Sequence, residues 1–316
     1  MKKFLSILVR VCISAGVLLF LFQRVDMAKI LRAVYKSNKP ILIFAAVLIS
    51  FGYIIGFFRW RMLLKELNLN LPRPVIFRSF CIGFFFNLFF PSTIGGDLCR
   101  SADLSAVSCQ PRQVVASVVL DRLSGYTALT VVALGALLIG HKLITEIAVF
   151  FVLGIIVMLL AGILAILFNN FLFSKVSKFF SFFGRIGETL SNLHYEIYKF
   201  REKKKIIFKN FLYSLIIQLI IPLSFYLLSL ALATKISPVY FFILVPIISA
   251  ITALPISIGG LGLREASSMF FFTTVGMSAE IAVTISLLSF FIIFLFGTAG
   301  GVIYVFAFSN RRLQCD

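Results

Sequence analysis

The stretch PSTIGGDLCR, Pro91 to Arg100, returns as PISIGGLGLR from Pro255 to Arg264. Five of the ten positions are identical (Pro91/Pro255, Ile94/Ile258, Gly95/Gly259, Gly96/Gly260, Arg100/Arg264), and Thr93 is matched by Ser257. Each copy follows a short apolar run that its proline ends, since proline brings no N–H to the next helical turn. The glycine pair then permits a tight reversal. An acid flanks each arginine: Asp97 ahead of Arg100, Glu265 behind Arg264. Gly/Pro-interrupted apolar segments at matching places in two halves point to a transporter's midplane site.

Composition supplies the setting for that repeat. The chain has 316 residues, 60% of them hydrophobic and 38 of them Phe, far too apolar for a soluble globular domain. It reads as an all-α polytopic membrane protein. A net charge of +18 raises the question of nucleic acid, but the basic residues flank apolar spans and form no continuous stripe. Anchoring in a cytoplasmic, anionic-lipid surface accounts for them, and no nucleic-acid partner is expected. Five cysteines, odd in number and without CxxC spacing, give no disulfide framework or zinc site. No cofactor is expected.

Outward from the first copy, the run Ser79 to Phe90 has about twelve residues, roughly 18 Å of helix against a hydrocarbon core of about 30 Å. With 97–108 returning, 79–110 forms a re-entrant hairpin, and 239–276 forms a second around the other copy. Apolar runs at 4–22, 40–58, 111–140, 145–168, 206–233 and 279–308 supply about six full spans. Lys2 and Lys3 precede the first run, which keeps Arg10 and lacks a cleavage site, so it reads as a retained helix. Residues 26–39 have the spacing of a basic amphipathic surface helix, and Arg59, Trp60 and Arg61 read as an interfacial anchor. Between the halves, 169–209 carries nine Lys and Arg with apolar residues at helical spacing, among them Leu193, Ile197 and Phe200. It reads as a basic cytoplasmic amphipathic segment.

With both termini cytoplasmic, 19 basic residues fall inside and 7 outside, in line with the positive-inside rule. In that orientation 40–140 is span, hairpin, span, and 206–308 is the same order with each direction reversed. Inverted-topology repeats follow, their two Gly-Gly motifs meeting near the midplane of a single membrane domain.

Asp97, Arg100, Arg264 and Glu265 would each cost about 2.5 to 3.5 kcal/mol at the centre of a lipid-exposed helix. They are expected to face one another or a wet cavity. Arg100 and Arg264, with helix N-termini opened by Gly95, Gly96, Gly259 and Gly260 and with Thr93 and Ser257 beside them, make a receptor for a phosphate headgroup. Asp97 and Glu265 either hold the arginines or carry protons, and Asp121 with Arg122 braces the first hairpin. Plainer readings stand beside these. Gly-Gly is also a close-packing device, and Asp97 with Arg100 is also a structural pair. His141 and His194 have no partner spacing for a metal, and none is expected. Asn87 either reaches the cavity or satisfies a helix neighbour.

Three ordered blocks, FRSFCIGFFFNLFFPSTIGGDLCR from Phe77, ASVVLDRLSG from Ala116 and PISIGGLGLREA from Pro255, resemble the flippase-like membrane proteins. These are related to the membrane domain of lysylphosphatidylglycerol synthases of the multiple-peptide-resistance type. The resemblance implies a lipid-translocase fold in the cytoplasmic membrane and anionic lipids as partners, with a lipid-modifying enzyme as an optional one. Lysyl transfer is not expected of a chain that stops at Asp316. The alternatives are a membrane transferase acting on a lipid-linked substrate, for which no catalytic constellation is found, and a non-transporting accessory subunit working through Lys203 to Lys205.

Overall fold

A helix must hold about twenty apolar residues to cross a bilayer, and several here exceed that. The structure, a computed structural model, describes residues 26–90, 93–140, 147–169, 171–175 and 193–308. The run at 4–22 with Arg10, the Pro91 break, His141, most of the central basic segment and the tail at Arg311 and Arg312 lie outside the described residues. The main helices are α1 Met27–Lys36, α2 Lys39–Glu66, α3 Arg73–Asn87, α4 Thr93–Ser108 and α5 Pro111–Gly140; α6 Ile147–Phe168, α7 Lys204–Ala231, α8 Pro238–Thr252, α9 Leu263–Thr274 and α10 Ala279–Phe308 follow. The described residues contain no strand. Five helices, α2, α5, α6, α7 and α10, are long and apolar enough to span, as an all-α polytopic membrane protein requires.

α3 and α8 have 15 residues each, about 22 Å of helix, too little to cross alone. Each is followed by a helix packed back along it, α4 against α3 and α9 against α8. Between the two sets the packing is reciprocal. α2 and α7 form the most extensive helix pair, α10 lies along α3, and α5 lies along α8. Among the described residues two large apolar cores result, one gathering Trp60, Leu63, Phe80, Leu104 and Val118, the other Phe225, Leu244, Ile248, Phe272 and Ile285, with a small third cluster where Ile30 meets Val283. α10 approaches α3 through small residues, for a Cβ on Gly300 would stand 3.0 Å from the Cys81 carbonyl oxygen.

Three features differ from the sequence reading. α2 does not end in an interfacial anchor: it runs on to Glu66, and Trp60 is fully buried with its indole N–H donating to Ser117 Oγ at 3.0 Å. Leu63 and Leu64, buried one turn later, pull this end of the helix into the core. Cys109 is disulfide-bonded, a pairing that the cysteine spacing does not announce. The third difference concerns the glycines and is taken up with the site.

α1 is amphipathic as expected. Asp26 caps it by accepting the Ala28 N–H at 2.9 Å, Ile30 is buried, and Leu31 and Tyr35 are exposed. Its Lys29 pairs with Glu280 of α10 at 3.0 Å. Of the central segment, Ile197 and Phe200 join the first core, and Lys203 ties it to Glu66 at 2.8 Å. His194 is buried there against the Phe173 ring, centroids 3.6 Å apart. Burial holds its pKa below the usual value, although the Leu167 backbone acts in the opposite direction. The folded state therefore resists the proton that the unfolded chain takes up as pH falls through about 6.5. Thermal stability in detergent is expected to fall below that pH, and His194→Phe to flatten that part of the profile.

Candidate functional site

Residues three apart share a helix face, so Asp97, Arg100 and Asp103 line one side of α4. The Arg100 guanidinium meets Asp97 at 2.9 Å and Asp121 of α5 at 3.2 Å. Asp121 also binds Arg59 of α2, Nε to Oδ1 at 2.7 Å, and Arg59 Nη1 donates to Ser214 Oγ of α7 at 2.9 Å. Asp97 closes the network by accepting from Arg122 Nε. Arg100 lies over the Trp60 ring, 4.6 Å from its centroid, a cation–π contact on its remaining side. One turn further, Asp103 accepts from Ser79 Oγ and pairs with Arg78, both on α3. The structure thus joins Asp97, Arg100, Asp121 and Arg122, and adds Arg59, which the sequence reading placed at the interface. Three guanidiniums share two carboxylates here.

Gly95 and Gly96 do not form a turn. α4 begins at Thr93, so both lie in its first turn. A Cβ on Gly96 would overlap the Gly83 carbonyl and the Asn87 amide, and one on Gly95 would overlap the Phe90 ring. They are close-packing residues, and Asn87 is the helix neighbour's acceptor: its Oδ1 takes the Gly96 N–H at 3.0 Å.

The second copy folds differently. Gly259, Gly260 and Gly262 have φ of 57°, 78° and 81°, left-handed values that glycine adopts without penalty. α9 starts only at Leu263. Glu265, 1% exposed, accepts the Gly262 N–H at 2.7 Å and the Ser286 hydroxyl at 3.1 Å. It therefore caps its own helix and does not hold Arg264, because neighbours on a helix point about 100° apart.

Arg264 is left with the Gly259 carbonyl at 3.4 Å and the face of Phe290, 5.3 Å to the ring centroid. Its Nη1 is buried without a partner, and among the described residues no carboxylate lies within ion-pair distance of it. In the same hairpin the Ser257 and Ser268 hydroxyls are also buried without partners. Ser268 sits four residues after Arg264, on the same face of α9. Each of the three is a buried hydrogen-bond donor for which the described residues supply no acceptor.

The two copies touch. The Gly259 N–H donates to the Phe90 carbonyl at 3.0 Å, which ties the tip of the second hairpin to the end of the first. A Cβ on Gly259 would stand 3.0 Å from the Leu88 carbonyl oxygen. Arg100 and Arg264 do not share a partner: the first is engaged inside its own bundle, and the second lies at the junction. The described residues bring together no three His, Cys, Asp or Glu side chains as metal ligands.

The family model described as the lysylphosphatidylglycerol synthase TM region matches residues 7–301. No curated protein matches the chain.

Proposed function

We propose that this chain, which belongs to the family of lysylphosphatidylglycerol synthase TM regions, translocates an anionic lipid or lipid-linked headgroup across the cytoplasmic membrane. The family ties it to membrane lipids; Arg264 carries the rest. An arginine among membrane helices, without a counter-charge among the described residues and with a buried, unpartnered Nη1, is costly unless something anionic meets it. The planar guanidinium fits a phosphate in two places at once.

The reciprocal packing supports an inverted repeat, with α2 to α5 as one unit, α7 to α10 as the other, and each short helix pair a re-entrant hairpin. With both termini cytoplasmic, the hairpins enter from opposite faces and hold each other at the Gly259–Phe90 hydrogen bond. Rocking of the units breaks that bond and opens the Arg264 site to one leaflet or the other. Gly259 and Gly260 keep the backbone close to the headgroup, and Ser257 donates to it. Asp97 and Asp121 stay with Arg59, Arg100 and Arg122 as the frame, since each carboxylate is held by two guanidiniums.

Reconstituted vesicles test the reading. A hydrogen bond to a charged group contributes about 1.5 to 3 kcal/mol, so Arg264→Ala is expected to slow translocation of a tail-labelled phosphatidylglycerol about 10- to 100-fold at unchanged protein yield. Arg264→Lys retains part of the rate. An unaltered rate in Arg264→Ala removes the site.

A further inference from the structure

Phe290 faces two ways. Its ring lies under the Arg264 guanidinium, and it also lines a groove between α1 and α10 formed by Ile30, Val34, Leu287, Leu288, Phe291 and Phe294. The groove has a volume of about 440 Å³, and its lining is almost wholly apolar. Along α10 it runs from Thr284 to Phe294, about 15 Å at the helical rise. Lys29 pairs with Glu280, four residues before Thr284, and fastens α1 across α10.

We infer that this groove seats one acyl chain of the transported lipid while Arg264 holds its phosphate, so that the cleft between α1 and α10 is the lateral doorway to the site. The inference rests on the translocation reading and adds to it that the substrate is recognised at both ends. The groove and the cation lie against one shared residue, Phe290, so an amphiphile whose headgroup reaches Arg264 past that ring can lay a chain along the apolar groove. A purely polar cargo, such as a free sugar phosphate, has no use for the groove. An uncharged lipid has no use for Arg264. In a bilayer Phe291 and Phe294, both exposed, face hydrocarbon, so the chain enters sideways without crossing water.

The experiment is photolabelling of the purified full chain in nanodiscs with a phosphatidic acid that carries a diazirine in one acyl chain. Labelled peptides are expected from α1 and from 284–294, with protection by excess dioleoyl phosphatidic acid and none by dioleoylglycerol. Arg264→Ala is expected to lower this labelling at least tenfold. So is the pair Val34→Trp and Leu287→Trp, which fills the groove. Equal protection by dioleoylglycerol, or labelling indifferent to Arg264, overturns the proposal by reducing the groove to an ordinary lipid contact. Cysteine crosslinking that places residues 4–22 in the groove overturns it too. Translocation is read separately: a normal rate in Arg264→Ala defeats the functional reading, whereas a normal rate in the groove-filled pair defeats only the doorway.

Discussion

Asp121→Ala is expected to lower the stability of the folded protein by about 3 to 5 kcal/mol, the cost of breaking a buried ion pair from one side. Asp121 is the carboxylate on which α2, α4 and α5 converge, through Arg59 at 2.7 Å and Arg100 at 3.2 Å. Its loss leaves Arg59 with only the Ser214 hydroxyl, while Arg100 and Arg122 share Asp97. Removing one arginine with it is milder: in Arg59→Leu combined with Asp121→Leu, Arg100 keeps Asp97 and the Trp60 face, so part of the loss is expected to return. Thermal unfolding in detergent, followed by the folded fraction on size-exclusion chromatography, measures both. A single substitution within about 0.5 kcal/mol of the parent would be in the range of a surface change and would contradict the network's structural role.

That network also marks where the sequence stopped being legible. The spans, the two short helix pairs and amphipathic α1 follow from hydrophobic run length and periodicity, which are local properties. Within the network only the Asp97–Arg100 pair is local. Asp121 comes from the next helix and Arg59 from 62 residues before it, and RWR at the end of an apolar run has the composition of an interfacial anchor whichever way it faces. Only the burial of Leu63 and Leu64 in the following turn separates the two readings, and that depends on the neighbouring helices. Gly300 and Gly301 say nothing inside an apolar span until α3 supplies Cys81 and Phe85 to pack on them.

The repeat itself was legible as sequence and misleading as backbone. Identical glycines lie in helix α4 in one copy and in left-handed turns in the other. The divergence tracks the unmatched positions. DLCR offers a helix-compatible residue where LGLR has Gly262, and Gly262 at φ 81° delays the second helix to Leu263. Asn87 then meets the Gly96 N–H in the first copy, while Glu265 meets the Gly262 N–H in the second. The acids therefore part company as well: with Asn87 meeting the Gly96 N–H, Asp97 takes Arg100 and Arg122, whereas Glu265 is occupied with its own cap. Position in a repeat predicts contact with the junction, not the role played there.

Gly259→Ala and Gly96→Ala exploit that difference, and each is expected to cost about 2 to 4 kcal/mol, by distinct routes. At Gly259 an L side chain must adopt φ 57° and crowd the Leu88 carbonyl at 3.0 Å. The hydrogen bond from its N–H to Phe90 is the direct link between the two hairpin tips, so the strain falls on the junction and translocation should drop at least tenfold even where the protein still folds. At Gly96 the φ is helical and the obstacle is the Gly83 backbone, which cannot rotate away. The loss then appears as separation of α3 from α4 and as reduced folded yield. Gly154→Ala is the reference, because nothing lies within 4 Å of its added Cβ and alanine favours the helix by up to about 1 kcal/mol. Midpoints of thermal unfolding, paired with rates in vesicles, separate the outcomes. If Gly259→Ala matches Gly154→Ala in both, the tips do not have to touch for the protein to work, and the rocking scheme loses its pivot.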